Sequence, residues 1–371
     1  MTKARLIDTV HQVLPSLHVA DASGAHTLHA RDALRAAGYR SDLFAGHVDA
    51  ELVGEARPLS ELDEVAPAGS AVLYQLAVGS PVVDRLMARR GPLLVNYHNL
   101  TPASFFWRWA PDWLSAVEAG RQQLLRLAPR VTHAIAVSEF NRGDLSAAGY
   151  RSTSVVAPFV DVGAFAGPSS ASRREGPTTW LFVGKLLPHK AAHDVVKAFA
   201  LYRRAYDPDA RLVLVGGHPV PPYAAAVQGL VDEAGLADAV VLAGSVSQDE
   251  LARRYGEADV FVCLSQHEGF CFPLLESMRH GVPVVALDAG AVADTLGGAG
   301  LLVRKPDPAL VAATVRRAVT DEPLRRHLVE MGRRRLDVFD LERTKAAFVA
   351  DVRGALEVPV SVPAPAAAGV A

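Results

Sequence analysis

The sequence predicts an α/β protein made of two doubly wound halves, each with a parallel sheet covered by helices. Short apolar, β-branched runs alternate with longer helical patterns along most of the chain, which is typical of βαβ units. A Gly-, Pro- and Ser-rich stretch at 163–178 separates two such series and has the composition of a linker. The length of 371 residues suits two or three domains, and 50% apolar with 21% charged residues is ordinary for a globular protein.

The composition narrows the class of protein further. A net charge of -2 gives no electrostatic footprint for nucleic acid. The two cysteines, Cys263 and Cys271, are too few for a disulfide framework and favour a reducing compartment. The first residues lack an apolar signal core, and no apolar run approaches 18 residues. We therefore expect a cytoplasmic protein with no transmembrane segment; contact with the inner face of a membrane stays compatible with this.

The first half, residues 1–165, reads as a complete alternating series. Its predicted strands lie within 5–20 and at 41–46, 71–76, 92–98, 132–138 and 155–161, and its main helices at 27–37, through Arg89, at 107–127 and from Glu139. Gly24 precedes the first of these helices and would let a ligand approach the backbone closely, although a plain tight turn accounts for it equally well.

His98 is the candidate functional residue of this half. It follows an apolar strand, and ligands bind at the carboxyl ends of strands in open α/β sheets. The alternative is a histidine whose hydrogen bonds are satisfied by the nearby backbone.

The second half repeats the pattern after a linker at 166–178. The domain predicted at 179–338 has strands at 179–184, 210–216, 240–244, 259–265, 283–288 and 301–303, with helices at 191–205, 222–235, 248–257, 273–280 and two within 308–336. A last amphipathic helix within 339–357 is expected to pack back toward the first half. The Pro/Ala-rich tail, 358–371, is expected to be disordered.

The most informative stretch of the second half is S-Q-H-E-G-F-C-F-P-L-L-E, from Ser265 to Glu276. A buried strand leads into a Gly-containing loop, and Pro273 suits the first position of the next helix. The free N–H groups at such a helix start attract anions. Together with the carboxylates of Glu268 and Glu276, they suit a ligand with a phosphate and several hydroxyls, such as a nucleotide sugar. The alternative is that Glu268 is a solvated loop residue and that Glu276 lies near a helix start only because carboxylates are favoured there.

A second candidate constellation is the loop W-L-F-V-G-K-L-L-P-H-K, which ends at Lys190. Gly184 and Lys185 come at the predicted strand end, and Lys190 comes at the start of the following helix. Only six of the 38 basic residues are lysines, so two in one loop are notable, and a diphosphate between them would offset their repulsion. Two solvated surface lysines are the alternative.

Other phosphate and metal motifs do not occur in the sequence. Neither the Walker A pattern nor G-x-G-x-x-G is present. The D-x-D string Asp207-Pro208-Asp209 is interpreted as an ordinary turn, and no metal-ligand spacing relates His133, His189, His218 and His267. We therefore expect no cofactor and no metal requirement.

Taken together, these motifs resemble glycosyltransferase family 4, retaining enzymes of GT-B fold that use nucleoside-diphosphate sugars. The resemblance rests on G-K-x-x-x-x-K at 184–190, A-D-V-F-V-C-L-S at 258–265, the two glutamates of 268–276, G-V-P-V-V-A at 281–286, G-A-G-L-L-V at 298–303, V-S-E-F-N-R at 137–142 and P-F-V-D at 158–161. It implies two Rossmann-like domains facing a central cleft, with the acceptor on the first and the donor on the second.

The resemblance also implies a role for each matching residue. Lys185 and Lys190, with Gly184 beside them, would hold the leaving diphosphate. Glu268 would bond the hydroxyls of the donor sugar, and Glu276 those of the ribose. The remaining matches are the loop amides around Gly269, Phe270, Cys271 and Phe272, His98 near the transferred sugar, and Gly24 in the N-terminal glycine loop.

The chain departs from the family pattern at two places. Cys271 stands where the commoner motif has glycine, and the N-terminal loop has one glycine where many relatives have two. The implied reaction moves a hexose-type sugar from a UDP- or GDP-sugar to a hydroxyl of a glycan, a lipid-linked sugar or a small molecule. A sugar phosphorylase, a nucleotide-sugar epimerase and a non-catalytic nucleotide-sugar binder are the alternatives.

Overall fold

The computed structural model describes residues 7–19, 22–161 and 176–357. In these ranges the chain forms a seven-stranded and a six-stranded sheet in which every described strand pair is parallel. The predicted α/β class with two doubly wound halves is confirmed. Residues 1–6, most of the predicted linker and the tail 358–371 lie outside the described residues.

The first sheet has the order β3-β2-β1-β4-β5-β6-β7. Its strands are β1 (Val10–Leu17), β2 (Leu43–Val48), β3 (Arg57–Pro58), β4 (Ala71–Leu76), β5 (Leu93–Tyr97), β6 (His133–Ala136) and β7 (Thr153–Val155). Its helices are α1 (Ala22–Ala36), α2 (Leu62–Val65), α3 (Val82–Ala88), α4 (Leu114–Leu127) and α5 (Glu139–Ala147).

The second sheet has the order β10-β9-β8-β11-β12-β13. Its strands are β8 (Thr179–Val183), β9 (Arg211–Val215), β10 (Val240–Gly244), β11 (Val260–Cys263), β12 (Val284–Leu287) and β13 (Leu301–Val303). The helices of this half are α6 (Ala192–Ala205), α7 (Pro221–Glu233), α8 (Gln248–Glu257), α9 (Phe272–Arg279), α10 (Val292–Leu296), α11 (Pro308–Thr320) and α12 (Glu322–Leu336).

Both faces of the second sheet are buried, which explains why its strands read as continuous apolar runs. In β8, Trp180 and Phe182 pack in the cluster on one face, whereas Leu181 between them packs in the cluster on the other. Side chains of a strand alternate between faces, so each face must be covered by its own helices.

The last helix, α13 (Leu341–Glu357), packs on the first half although it follows the second half in the chain. Phe348 and Val352 are fully buried in a cluster with Val10 and Leu94 of the first sheet. The Asp351 carboxylate also accepts a hydrogen bond from the Ser154 hydroxyl. The end of the chain therefore joins the second half back to the first.

Several element boundaries differ from the predicted ones. The first helix begins at Ala22, five residues before the predicted start, so Gly24 lies in its first turn. Residues 107–110 lie outside α4, which is preceded by a short 3-10 turn at Pro111–Trp113. The strand predicted at 155–161 is shorter and earlier, at Thr153–Val155.

The D-x-D string forms a turn, as interpreted from the sequence. Both carboxylate oxygens of Asp207 accept backbone N–H groups, one from Thr178 and one from Asp209. No helix in the described ranges has the length and apolar character needed to cross a membrane.

Candidate functional site

The strand orders place a topological switch point in each sheet. β1 lies between β2 and β4, and β8 lies between β9 and β11, so successive crossovers leave in opposite directions there. Ligands bind beyond the strand carboxyl ends at such points in open α/β sheets. Loops from both halves meet here and enclose a cavity of about 280 Å³.

Residues that follow seven of the strands line the cavity. The first half contributes Ser23, Ala77, His98, Val137 and Pro158, and the second contributes Lys190 and residues 268–273. Ser23 follows β1, Ala77 follows β4, and His98 follows β5, so the sheet order itself brings these distant residues together.

The charged centre of the cavity is an ion pair between Lys190 and Glu268. The Lys190 Nζ lies 2.7 Å from each carboxylate oxygen of Glu268, and the two side chains are only 22% and 6% exposed. Burial by itself lowers the pKa of the Lys190 ammonium, but the Glu268 carboxylate more than offsets it, so the pKa of Lys190 lies above its ordinary value. Lys190 is therefore charged at neutral pH. The anion that faces it in this structure is Glu268, a partner that the sequence interpretation did not foresee.

The backbone of Glu268 is held by the loop that precedes α10. Gly290 has a φ of +58°, and a Cβ there would lie 2.5 Å from the Glu268 carbonyl oxygen. The same carbonyl accepts the N–H of Ala291 at 2.9 Å. This close approach requires glycine at position 290.

Cys271 occupies a backbone conformation that favours glycine. Its φ of +75° lies in the left-handed region just before α9, which gives a physical reason for glycine in the commoner family motif. Its Sγ lies 3.8 Å from that of Cys263, and both thiols are free and buried. The hydrogen bond with Cys263 and burial raise the pKa of Cys271, so a neutral thiol lines the cavity.

His98 is oriented by a buried polar network beneath it. Its Nε2 donates to Oε1 of Gln75 at 2.7 Å, and Gln75 in turn donates to Gln12. Asn96 joins Gln75 and the buried His26 to the same network. Burial, with His98 nearby, lowers the pKa of His26 well below its ordinary value, so His26 is neutral. The network fixes the ring of His98 without placing a charge under it.

The two halves touch directly at the rim of the cavity. His267 Nε2 lies 2.6 Å from Oδ1 of Asn99, whose φ is +103°. Gly269 packs so closely that a Cβ there would lie 2.5 Å from Asn99 Cβ and 2.8 Å from the His98 carbonyl oxygen. The loop that contains Gly269 therefore packs against the end of β5, next to His98.

Four of the residues singled out in the sequence do not line this cavity. Lys185 lies on the same loop as Lys190 but is exposed, and its ammonium makes no hydrogen bond or ion pair with another described residue. Gly184 lies beside it at the end of β8, and Gly24 packs against His18. Glu276 accepts a hydrogen bond from the Tyr255 hydroxyl at 2.7 Å.

The surroundings of Glu276 alter its acidity. Burial raises the pKa of Glu276, and the hydrogen bond from Tyr255 lowers it by less. Its partner Tyr255, on α8, is almost fully buried.

Sequence reasoning missed the supporting residues. Gln75 and Asn96 lie inside apolar strands, and His26 lies within the first helix. A polar residue inside a strand that is otherwise apolar was the available signal, because a buried amide must find hydrogen-bond partners.

Comparison with known proteins gives a family for the second half. Residues 168–335 match the family described as Glycosyl transferases group 1. The D-inositol 3-phosphate glycosyltransferase of Thermomonospora curvata is 36% identical over 198 residues, which cover 48% of this chain and 46% of that protein. The GDP-mannose-dependent alpha-(1-6)-phosphatidylinositol monomannoside mannosyltransferase of Mycobacterium tuberculosis is 30% identical over 200 residues, 49% of this chain and 50% of that protein. The matched region spans about half the length of these curated relatives.

Solved structures match over nearly the whole chain. The sucrose-phosphate synthase of Thermosynechococcus elongatus superimposes with a TM-score of 0.72 at 19% identity, covering 94% of this chain and 98% of that one. The Anabaena HepE protein in complex with UDP-glucose gives a TM-score of 0.72 at 18% identity, covering 93% and 99%. At these identities the likeness shows the fold, and the expected GT-B architecture is confirmed.

Proposed function

We propose that this chain, whose residues 168–335 belong to the glycosyl transferases group 1 family, transfers a hexose-type sugar from a nucleoside-diphosphate sugar to an acceptor hydroxyl. UDP and GDP are the proposed carriers, and the proposed transfer retains the anomeric configuration. The observation that carries the proposal is the cavity at the two switch points, where the Lys190–Glu268 pair lies beside the start of α9.

Lys190 and the start of α9 supply the positive field that the leaving group requires. Breaking the bond between the anomeric carbon and phosphate builds negative charge on the diphosphate. A preorganised cation and free helix-start amides stabilise that charge without having to reorganise. In this proposal Lys185, exposed at the end of β8, adds a second cation from the rim once the diphosphate is bound.

The ion pair gives Glu268 and Lys190 a defined geometry before the donor arrives. Both oxygens of Glu268 are engaged by one ammonium, so neither side chain is free to rotate. On donor binding, the diphosphate would share Lys190 and the sugar hydroxyls would share Glu268. The pair would then position both ends of the bond that breaks.

His98 faces the cavity from the opposite half. Its Nε2 proton is given to Gln75, so Nε2 is not available as a base in this arrangement. We assign His98 to contact with the transferred sugar. Ser23 and Gly24, in the first turn of α1, lie at the same edge of the first sheet. The acceptor attacks from the face that the diphosphate leaves, and a phosphate oxygen takes its proton. This route requires neither a protein base nor a metal.

The donor is identified by a panel of nucleotide sugars that includes GDP-mannose and UDP-glucose. A true donor raises the melting temperature by mass action, worth about 2.7 kcal/mol at 100 times its Kd. The same donor should then be hydrolysed slowly alone and consumed faster with an acceptor.

Other outcomes would separate the alternatives. Activity that requires phosphate and no nucleotide sugar would indicate a phosphorylase, and conversion of the nucleotide sugar without acceptor would indicate an epimerase. Binding without any turnover over a broad acceptor panel would indicate a non-catalytic binder. If no nucleotide sugar shifts the melting temperature, the proposal is wrong.

A further inference from the structure

A second group of potential ligand side chains lies on the first half, outside the lining of the cavity that contains Lys190 and Glu268. His18 directly follows β1, and His47 and Asp49 lie at the end of the neighbouring β2. The parallel register pairs Leu17 with Val48, which brings these strand ends level. None of the three residues lines the cavity that contains Lys190 and Glu268.

The polar atoms of the group converge on one carboxylate oxygen. His18 Nδ1 lies 2.9 Å from Oδ1 of Asp49, and His47 Nε2 lies 3.3 Å from the same oxygen. The three ligand atoms lie within 4.8 Å of one another, and the two imidazole rings are 5.4 Å apart.

Hydrogen bonds with the backbone fix the orientation of the Asp49 carboxylate. Its second oxygen, Oδ2, accepts the N–H of Val19 at 3.0 Å. Its own N–H donates to the carbonyl of Leu17 at 3.0 Å. Oδ1 is thus held toward the two histidines, and the position of a carboxylate ligand is set in advance.

The two histidine–carboxylate distances, 2.9 and 3.3 Å, are close to the spacing of ligands on a transition-metal ion. Nitrogen and oxygen ligands about 2.1 Å from one cation, at tetrahedral or octahedral angles, stand roughly 3.0–3.4 Å apart. Two histidines and one carboxylate are also a recognised donor set for divalent first-row metals. His18 and His47 are 47% and 63% exposed, so a cation can enter from solvent and keep open positions for water or another oxygen ligand.

We propose that His18, His47 and Asp49 form a binding site for a divalent transition-metal cation such as Ni²⁺ or Zn²⁺ on the first half of the chain. None of the three residues lines the cavity around Lys190 and Glu268, so the bound metal is given no part in sugar transfer. It stands or falls independently of the proposed transferase activity.

Titration calorimetry of the chelator-treated full chain with Ni²⁺ tests the site. Ni²⁺ is preferred to Zn²⁺ as the probe because imidazole suits it, whereas thiolates select zinc. This matters because Cys263, Glu268 and Cys271 form another group with ligand atoms within 4.8 Å of one another. We expect one Ni²⁺ bound per chain.

The decisive comparison is His47→Ala against His327→Ala. His47 is exposed, so its removal should leave the metal-free melting temperature unchanged while the Ni²⁺ affinity falls at least about tenfold. His327, an exposed histidine on α12, serves as the matched control and should bind Ni²⁺ like wild type. Equal affinity in wild type and His47→Ala would overturn the proposal, as would binding that His47→Ala keeps and Cys271→Ser loses.

Discussion

Lys185 and Lys190 are five positions apart on one loop, yet they have different surroundings. Lys190 is paired with Glu268 inside the cavity, whereas Lys185 is exposed and has no such partner among the described residues. From the sequence both were assigned to the same diphosphate. The two lysines therefore contribute differently to the stability of the ligand-free protein, and this difference can be measured.

We predict that Lys185→Ala and Lys190→Ala both reduce turnover by about 10²-fold or more, because each removes a cation from the leaving group. Only Lys190→Ala should also destabilise the ligand-free protein, by about 3 kcal/mol, since it leaves a buried carboxylate unpaired. Lys185→Ala should stay within about 0.5 kcal/mol of wild type. Urea denaturation and steady-state kinetics on the same preparations test both statements. If Lys185→Ala keeps wild-type turnover, Lys185 has no role in stabilising the leaving diphosphate.

Glu276 gives a pH-dependent prediction. Burial holds the pKa of Glu276 above its ordinary value, so the folded state favours the protonated carboxyl. Stability from this group is therefore complete below the ordinary pKa, about 4.3, and is lost as the pH rises through the higher folded value. Glu276→Gln keeps an acceptor for Tyr255 without the charge. It should gain stability over wild type as the pH rises from about 5 to 8, while nucleotide-sugar affinity falls.

The control for this prediction is Glu64→Gln, which changes an exposed glutamate on α2. Urea denaturation of this variant at the same pH values gives the effect of replacing a glutamate that is exposed rather than buried. If Glu276→Gln is less stable than wild type at both ends of the range, the buried charge is not a liability and the interpretation fails. Unchanged donor affinity would argue against a ribose contact.

At the scale of elements, the connection between β12 and α10 supports the loop after β11. Gly290, in that connection, approaches the backbone of Glu268 with a φ of +58°. Its neighbour Ala291 donates to the Glu268 carbonyl. The loop that carries the glutamate is thus positioned by a second loop 22 residues further along, a dependence that local patterns do not reveal.

We predict that Gly290→Ala displaces the Glu268 loop, because the new Cβ would meet backbone atoms 2.5 and 2.7 Å away. The loss of turnover should exceed what the loss of stability, about 1–3 kcal/mol from backbone strain, would explain. Gly298→Ala is the matched control, since Gly298 also has a positive φ but open space around it. Similar losses of turnover in both variants would show that strain alone is responsible.

Element boundaries show where local propensity was insufficient. From the sequence, the segment D-A-S-G-A-H leads into a first helix that starts only at Thr27. The helix nevertheless begins at Ala22. Gly24 then lies against the end of β1, where a Cβ would be 3.2 Å from the His18 carbonyl oxygen. Close packing of helix on strand gives a structural reason for glycine at this position.

For the whole molecule, the decisive contact is the one between the two halves at Gly269. The absence of a side chain lets this loop lie against Asn99 and the His98 backbone. The same region is tied by His267 and Asn99, and the far side of the first half is covered by α13. The site is complete only when both halves are in this arrangement.

We predict that Gly269→Ala forces the halves apart at the cavity and lowers turnover by about 10²-fold, as misplacement on the order of 1 Å does in enzymes. Nucleotide binding to the second half alone should be largely kept. Gly229→Ala on α7 is the control, because a Cβ there meets nothing within 4 Å, and it should stabilise slightly. Kinetics with separately measured nucleotide affinity distinguishes the effects. Normal turnover in Gly269→Ala would mean that the contact is not required.

By itself, the sequence determined the fold class, the order of most strands and helices and the resemblance to a family, because apolar periodicity and turn residues are local signals. It also singled out Lys190, Glu268 and His98, which line the same cavity, since strand-end positions follow from that same order. Only the tertiary structure decided that Glu268 is the partner of Lys190, that Gln75, Asn96 and His26 orient His98, and that Glu276 bonds to Tyr255. These contacts join residues on different strands and helices, so they depend on the packing of the sheets and on how closely the two halves approach.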